Sequence, residues 1–376
     1  MLNLYFDNAA TSFPKPPEVA EYTRLYLEKG GTYGRGAYDR VINVSRTVEE
    51  TRFLLSQLMG TSLSENVLFT HNSTHAINIV LQGFRYKFKR VLISPLEHNA
   101  VTRPIEHLRE KIGLKFDVIP HKSDGQISLE ELGQLDLNRY DLCIINHISN
   151  VNGVIQPICK VKQVIGNLPL LVDASQSAGY FELEADKWNV DFMALTAHKG
   201  LMGPTGVGCL FIRNTELVSP LMFGGTGSRS DSFLMPEHLP DRYEPGTPNI
   251  LGIYGLNGAL KANVDFGFTR NDFKGLLSDI ERLNTIKVYR SKSFENQGFV
   301  FSITSNNLSS SDLADILFRK YKIETRSGLH CSPLAHQTLG TMPQGTVRFS
   351  LSKYHSPNDL SYIYKALNEI DYEQGG

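Results

Sequence analysis

Long apolar runs are missing from this 376-residue chain. No stretch reaches the roughly 18 uninterrupted apolar residues of a membrane-spanning helix, so a membrane protein is not expected. The start, Met1-Leu-Asn-Leu-Tyr-Phe-Asp7, lacks the basic-then-apolar pattern of a secretory signal, and the cytoplasm is the expected location. An excess of one charge is missing too: 38 basic and 39 acidic residues leave a formal charge of −1. With no long basic block, neither nucleic acid nor an anionic membrane is an expected partner. Cysteine is scarce. Cys143, Cys159, Cys209 and Cys331 are too few for a disulfide scaffold, and no C-x-x-C pair marks a zinc site, so no metal is expected. The phosphate loop G-x-x-x-x-G-K-[ST] is absent. Gly203-Pro-Thr-Gly-Val-Gly208 leads into a strand-like run rather than a helix, so it fails as a dinucleotide fingerprint.

What remains is ordinary globular composition, 41% hydrophobic and 20% charged. Single cores stop growing near about 250–300 residues, so two domains are expected. Seven apolar runs carry the first: 66–70, 90–94, 115–119, 141–146, 168–173, 191–196 and 207–212. Most are continuously apolar rather than alternating, which suits a sheet covered by helices on both faces. Helical spacing fills the gaps, as at 75–84 and 100–112. The expected class is therefore α/β, with a mostly parallel seven-stranded sheet over residues 15–255. After Glu244-Pro-Gly-Thr-Pro-Asn249 the texture changes. Helices are read near 253–265, 271–291, 311–320 and 357–370, and strands at 298–303, 321–326 and 346–352. This gives a small α+β domain over residues 256–376, joined to the first by segment 1–14.

Ligands of open α/β sheets bind beyond the carboxyl ends of the strands. Ser73 and Thr74 follow the first run and fit either a helix N-cap or a phosphate site at a helix N-terminus. His98 follows the second, as a hydrogen-bonded residue or a ring that stacks on a flat cofactor. Asn150 follows the fourth, as a turn residue or a carboxylate ligand. Asp173 ends the fifth. An acid there is costly unless paired, and a protonated pyridine nitrogen would pair it; Gln176 lies one turn on. Lys199 closes the sixth, after Thr196 and His198. A buried lysine shifts its pKa readily and becomes a Schiff-base nucleophile. Lys199 and Asp173 at neighbouring strand ends favour pyridoxal 5'-phosphate (PLP).

The ordered motifs Phe6-Asp-Asn-Ala-Ala-Thr11, Asn72-Ser-Thr-His-Ala-Ile-Asn78, Glu97-His-Asn-Ala100, Ser149-Asn-Val-Asn-Gly153, Val172-Asp-Ala-Ser-Gln176, Thr196-Ala-His-Lys-Gly200, Tyr243-Glu-Pro-Gly-Thr-Pro-Asn249, Arg326-Ser-Gly-Leu-His-Cys331 and Val347-Arg-Phe-Ser350 cover nearly the whole chain. Together the sequence resembles the class V aminotransferase branch of fold-type I PLP enzymes, and within it cysteine desulfurases of the SufS/selenocysteine lyase-like group. The resemblance implies that Lys199 carries PLP as a Schiff base. Asp173 would pair with the ring nitrogen and Gln176 with the ring hydroxyl, and His98 would stack on the ring. Ser73, Thr74, Thr196 and His198 would hold the phosphate. Thr247 would reach the neighbouring subunit's phosphate, implying a homodimer. Asn150 and Arg348 would bind the substrate carboxylate, with Arg326 lining the same pocket; a guanidinium fits a carboxylate bidentately.

Cys331 narrows the activity. Cys143 and Cys209 lie inside apolar runs and read as core. Cys331 lies in Ser327-Gly-Leu-His-Cys-Ser-Pro333, beside His330 and near Arg326, and resembles the desulfurase nucleophile. The expected reaction takes L-cysteine to L-alanine, leaving sulfur as a persulfide on Cys331 for an acceptor protein. The alternatives are a selenocysteine or other C–S lyase, and a non-catalytic PLP-fold scaffold that binds a sulfur carrier. The chain departs from the family at Gly34, where Tyr33-Gly34-Arg35-Gly36 lacks a family His, and at Asn99 and Leu329.

Overall fold

The computed structural model describes residues 2–85 and 88–375. Each of the seven apolar runs forms a strand: β1 (Val67–Thr70), β2 (Arg90–Ile93), β3 (Lys115–Val118), β4 (Leu142–Asn146), β5 (Leu170–Asp173), β6 (Phe192–Thr196) and β7 (Gly208–Ile212). They make one sheet of order β1-β7-β6-β5-β4-β2-β3. The expected parallel sheet is therefore present, with β7 running antiparallel to both neighbours. Strands β4, β5 and β6 are buried at every position, which is why their sequences do not alternate. One face packs on a cluster including Val48, Leu55, Val161 and Ile253, the other on one including Ile77, Val80, Val101 and Ile105. Helices thus cover both faces.

The strand pairing sets the site. Asn146 and Asp173 are Cα partners at the carboxyl ends of β4 and β5, and Thr196 pairs with Gly208 at the same edge. The turn after β6 packs back to back with the turn after β5. A Cβ on Gly200 would meet Ala178 O at 2.3 Å, and one on Gly179, at φ +84°, would meet Gly200 O at 2.3 Å. Only glycine tolerates that approach, so the lysine turn and the Asp173–Gln176 turn are locked side by side.

A second sheet of order β10-β11-β9-β8 is antiparallel throughout. Its strands are β8 (Ile286–Tyr289), β9 (Val300–Ser305), β10 (Arg326–Gly328) and β11 (Thr346–Ser350). Here the expectations need correction. The helix read over 271–291 ends at Ile280, and Ile286-Lys-Val-Tyr289 is an edge strand instead. The strand read over 321–326 begins only at Arg326, because the preceding helix holds Tyr321. A separate apolar cluster, with Phe273, Phe301, Phe349, Leu317 and Ile363, fills this part, and Phe6 of the N-terminal segment is buried in it. Two helices absent from the sequence reading, Pro17–Lys29 and Asp39–Met59, pack on helix Ile250–Lys261.

Arg52 ties the second of these helices to β1 and to the Pro/Gly-rich loop. Its guanidinium meets Glu244 at 2.8 and 3.1 Å, donates to Val67 O, and lies 4.6 Å from the Phe69 ring. Glu244 also accepts from Phe69 N at 2.6 Å. The Arg52 side chain is only 2% exposed and that of Glu244 only 10%. Removing Glu244 leaves the buried Arg52 with only the half-exposed Glu49 carboxylate, at 3.2 Å, as counter-charge. Glu244→Ala is therefore expected to cost about 3–5 kcal/mol in urea denaturation. Joint replacement of Arg52 and Glu244 by Met and Leu is expected to cost less than the single change.

Candidate active site

A cavity of about 290 Å³ opens at the carboxyl edge of the large sheet. Ser73, Thr74, His98, Asn150, Asp173, Gln176, Thr196, His198 and Lys199 all line it. Residues expected at separate strand ends therefore converge. Lys199 makes no side-chain hydrogen bond among the described residues. Burial pushes its pKa down to about 8, with Asp173 opposing and Arg348 assisting. A substantial neutral fraction near pH 7–8 makes its amine a nucleophile and a base.

Asp173 is held from one side. Its Oδ1 accepts from Ser175 N at 2.9 Å, Ser175 Oγ at 2.5 Å and Ser73 Oγ at 3.2 Å. Its Oδ2 accepts no hydrogen bond among the described residues, so one carboxylate oxygen is fixed and the other is left for a ligand. Gln176 is similar: Nε2 donates to Ala9 O at 3.0 Å, and the amide oxygen is uncommitted. His98 caps helix Asn99–Ile112, its Nδ1 accepting from Ala100 N at 3.0 Å. Burial, then the nearby Lys199, lowers its pKa to about 4, so the ring is neutral at pH 7.

The residues expected around a phosphate are unsatisfied. Thr196 Oγ1 and His198 Nδ1 are buried without hydrogen-bond partners. Asn72 caps helix Ser73–Gly83 by accepting from His75 N, leaving the N–H groups of Ser73 and Thr74 at the helix end free. Since the Ser73 hydroxyl goes to Asp173, its backbone N–H is what faces an anion. Free N–H groups, a helix N-terminus and two orphaned polar atoms form an anion cradle. A free carboxylate oxygen, a nucleophilic amine and a flat neutral ring stand in the same cavity. The donor set fits PLP.

Four expected residues lie outside this cavity. Arg348, on β11, is buried with Nη2 on Asp7 at 2.6 Å and Nη1 on Asn150 O at 3.1 Å. Its Nε is buried and unpartnered. Arg326 is its Cα partner on β10, exposed, so two guanidinium-bearing residues sit side by side in register. Thr247 is exposed and lines a different recess with His71, His75 and Asn249. Cys331 is exposed, whereas Cys143 and Cys209 are buried and have their thiol pKa values pushed up by burial.

The loop carrying Cys331 is strongly pinned. Gly328, His330 and Cys331 have φ of +103°, +49° and +56°. Such a run of left-handed residues survives only where surrounding bonds over-determine it. Asn99 N donates to Cys331 O, and Asn150 Nδ2 to His330 O, each at 2.8 Å. Asn150 Oδ1 accepts from Ser332 Oγ at 2.8 Å. The Asn150 amide, expected at a substrate carboxylate, is here committed to both neighbours of Cys331. The Asn99 contact uses the backbone, so the replacement of a family His there leaves it intact.

Sequence reasoning missed Asp7, Ser175, Asn146 and Glu97. Asp7 lay in a quoted motif, but its partner Arg348 is 341 residues away. Glu97 is fully buried. Its Oε1 accepts from Ser94 Oγ and from Asn146 N, both at 2.7 Å, and its Oε2 has no partner.

The chain superposes on a cysteine desulfurase from Thermococcus onnurineus with TM-score 0.89 and 28% identity, covering 98% of this chain and 95% of that one. A cysteine desulfurase from Escherichia coli gives TM-score 0.85 at 25% identity, covering 98% and 94%. Among curated relatives, a probable cysteine desulfurase of Methanothermobacter thermautotrophicus is 30% identical, over 98% of this chain and 94% of that protein. Residues 4–363 match the model for aminotransferase class-V. The chain belongs to the class V aminotransferase family, whose fold-type I architecture and PLP dependence agree with the sheet and cavity described here.

Burial raises the Glu97 pKa to about 8, so the native state keeps a proton that the unfolded chain loses near pH 4.5. The native state is then favoured less as pH rises across that window. Relative to Glu97→Gln, which cannot ionise, wild type is expected to lose on the order of 2–4 kcal/mol between pH 5 and 8. Chemical denaturation of both proteins at several pH values measures the difference.

Proposed function

We propose that this chain is a PLP-dependent cysteine desulfurase that converts L-cysteine to L-alanine and holds the sulfur as a persulfide on Cys331. The observation that carries the reading is the exposed Cys331 thiol on a loop pinned through Asn150 to the lysine-bearing cavity. The relatives named cysteine desulfurase support it.

Lys199 would anchor the cofactor. Asp173 Oδ2 would face its ring nitrogen, the Gln176 oxygen its hydroxyl, and His98 its ring. Thr74, Thr196, His198 and the Ser73 N–H would take its phosphate. When bound, PLP stores the electron pair released at the substrate Cα. Arg348 and Arg326 would draw the substrate carboxylate toward β10 and β11. The Lys199 amine, with its pKa near 8, takes up the α-proton and returns it. Cys331, as thiolate, attacks the substrate sulfur. The S–S bond forms as the Cβ–S bond breaks, and the bond's electron pair stays with the carbon that becomes the alanine methyl.

The same reading includes a large unit of residues 15–255 and a small one of 256–376; separate apolar clusters support two units, with Leu256 of helix Ile250–Lys261 packing in the larger. It also includes a cytoplasmic location and a homodimer. Support for the dimer comes from Met222, Phe223, Phe233 and Leu234, exposed apolar residues whose segment meets the Thr247 loop through Gly246 N to Gly225 O at 2.7 Å. Such a surface calls for cover. Among the described residues, no helix is long and apolar enough to cross a membrane.

Purified protein given PLP, L-cysteine and dithiothreitol is expected to form alanine and sulfide in equal amounts. Cys331→Ala should cut alanine formation by about 10²-fold or more, the loss of a nucleophile, while keeping the cofactor's visible absorbance. Lys199→Ala should lose the absorbance of the lysine-bound cofactor. Sulfide released at the wild-type rate by Cys331→Ala, with pyruvate and ammonia in place of alanine, would replace the desulfurase reading with that of a C–S lyase.

A further inference from the structure

Sulfur must leave Cys331 as well as reach it. A second recess, about 540 Å³, adjoins the first and shares Thr74, His98 and Ala100 with it. Cys331 lines this second recess and not the first. The facing wall is helix Asn99–Ile112, which contributes Arg103 and His107, one turn apart. Both are exposed, and neither side chain has a hydrogen bond or ion pair among the described residues. The nearest acid on the same helix, Glu106, is engaged by Arg109 at 2.6 Å.

The polarity of the recess is one-sided. Asn78, Gln82 and Asn99 add amides, and among the described residues no Asp or Glu lines it. An unpaired guanidinium in a carboxylate-free recess attracts anions and binds them through charge-assisted hydrogen bonds. The volume falls within the range of small-molecule sites, about 300–1,000 Å³. Thr74, His98 and Ala100 line both spaces and Cys331 lines this one, so an occupant here would reach Cys331 from outside the lysine-bearing cavity.

We propose that this recess is the acceptor site, and that it takes a small thiol bearing an anionic group such as a carboxylate. The anion docks against Arg103 and His107, and the thiolate faces Cys331. This rests on the persulfide reading above. In the transfer, the acceptor thiolate attacks the outer sulfur of the Cys331 persulfide. A new S–S bond forms, the old one breaks, and Cys331 departs as thiolate. The acceptor leaves as the persulfide, and no further oxidant or reductant is consumed.

Two experiments on the holoenzyme test it. Iodoacetate and iodoacetamide deliver an anionic and a neutral reagent of similar size to Cys331. The iodoacetate-to-iodoacetamide rate ratio is expected to fall about fivefold in Arg103→Gln, the size of one exposed charge interaction. Arg103→Lys should keep most of it, and about 0.5 M salt should erase the difference. Cysteine turnover with mercaptosuccinate, relative to dithiothreitol, should fall by a similar factor in Arg103→Gln. A ratio that ignores Arg103 in both assays overturns the proposal. So does an equal loss with both thiols, which would assign Arg103 to the reactivity of Cys331 itself. A response in alkylation with no alanine formed by wild type with any thiol would overturn the persulfide reading, and the acceptor role with it.

Discussion

A carboxylate at the end of the middle strand of the large sheet organises this molecule. Asp173 ends β5 in a setting where every neighbour along the strand is buried. An isolated charge there would be expensive, and three donors gathered on one oxygen lower that cost. They come from Ser73 and Ser175, so the same carboxylate joins the β1 helix end to the β5 turn. Lys199 lines the same cavity, and the carboxylate acts on its titration. The lysine is pulled down by burial and pulled back by the carboxylate, which leaves it close to neutrality rather than far below it. A sheet that positions one acid thereby also sets the protonation of its base.

Arg348 and Asn150 are two of the side chains that couple the second sheet to the first. Arg348 sits on β11, yet its guanidinium reaches Asp7 of the N-terminal segment and the backbone of Asn150, just beyond β4. Asn150 in turn fixes the carbonyl before Cys331 and the hydroxyl after it. A group binding at Arg348 therefore acts on a residue that already holds the cysteine loop. The strained backbone of that loop gives the coupling physical content. Left-handed φ values at His330 and Cys331 are held by these tethers together with the Asn99 N to Cys331 O bond.

The legibility of the sequence follows the range of the interactions. The seven strands were readable because each is short and most are continuously apolar between polar turns, with Lys115-Phe-Asp-Val118 the main exception. Asp173, Lys199 and His98 were readable because chemistry at strand ends is a local signal. The small sheet was harder. Ile286-Lys-Val-Tyr289 has four residues, alternates weakly, and follows a helix whose pattern runs into it. Asp7 and Glu97 were silent for another reason. The value of Asp7 depends on a partner 341 residues distant, and that of Glu97 on an enclosure no local pattern encodes. Asn150 shows the intermediate case: its residue type marked a polar role, but only the fold says which groups its amide serves.

His98 deserves a place beside Lys199 in any account of the chemistry, because it belongs to both cavities. Its Nδ1 is spent on Ala100 N, which fixes the ring's orientation and leaves Nε2–H as its free edge. A charged imidazole in that position would repel Lys199 and Arg348; burial keeps it neutral instead. The neutral ring lines both spaces: the first also holds Lys199 and Asp173, and the second gives a thiol, Cys331, an open approach. Buried Cys143 and Cys209 could not play that part, since an apolar core disfavours the thiolate and admits no second reactant. Exposure is what distinguishes Cys331 from them: it stands close enough to Lys199 to be felt electrostatically, and open enough to be reached from outside.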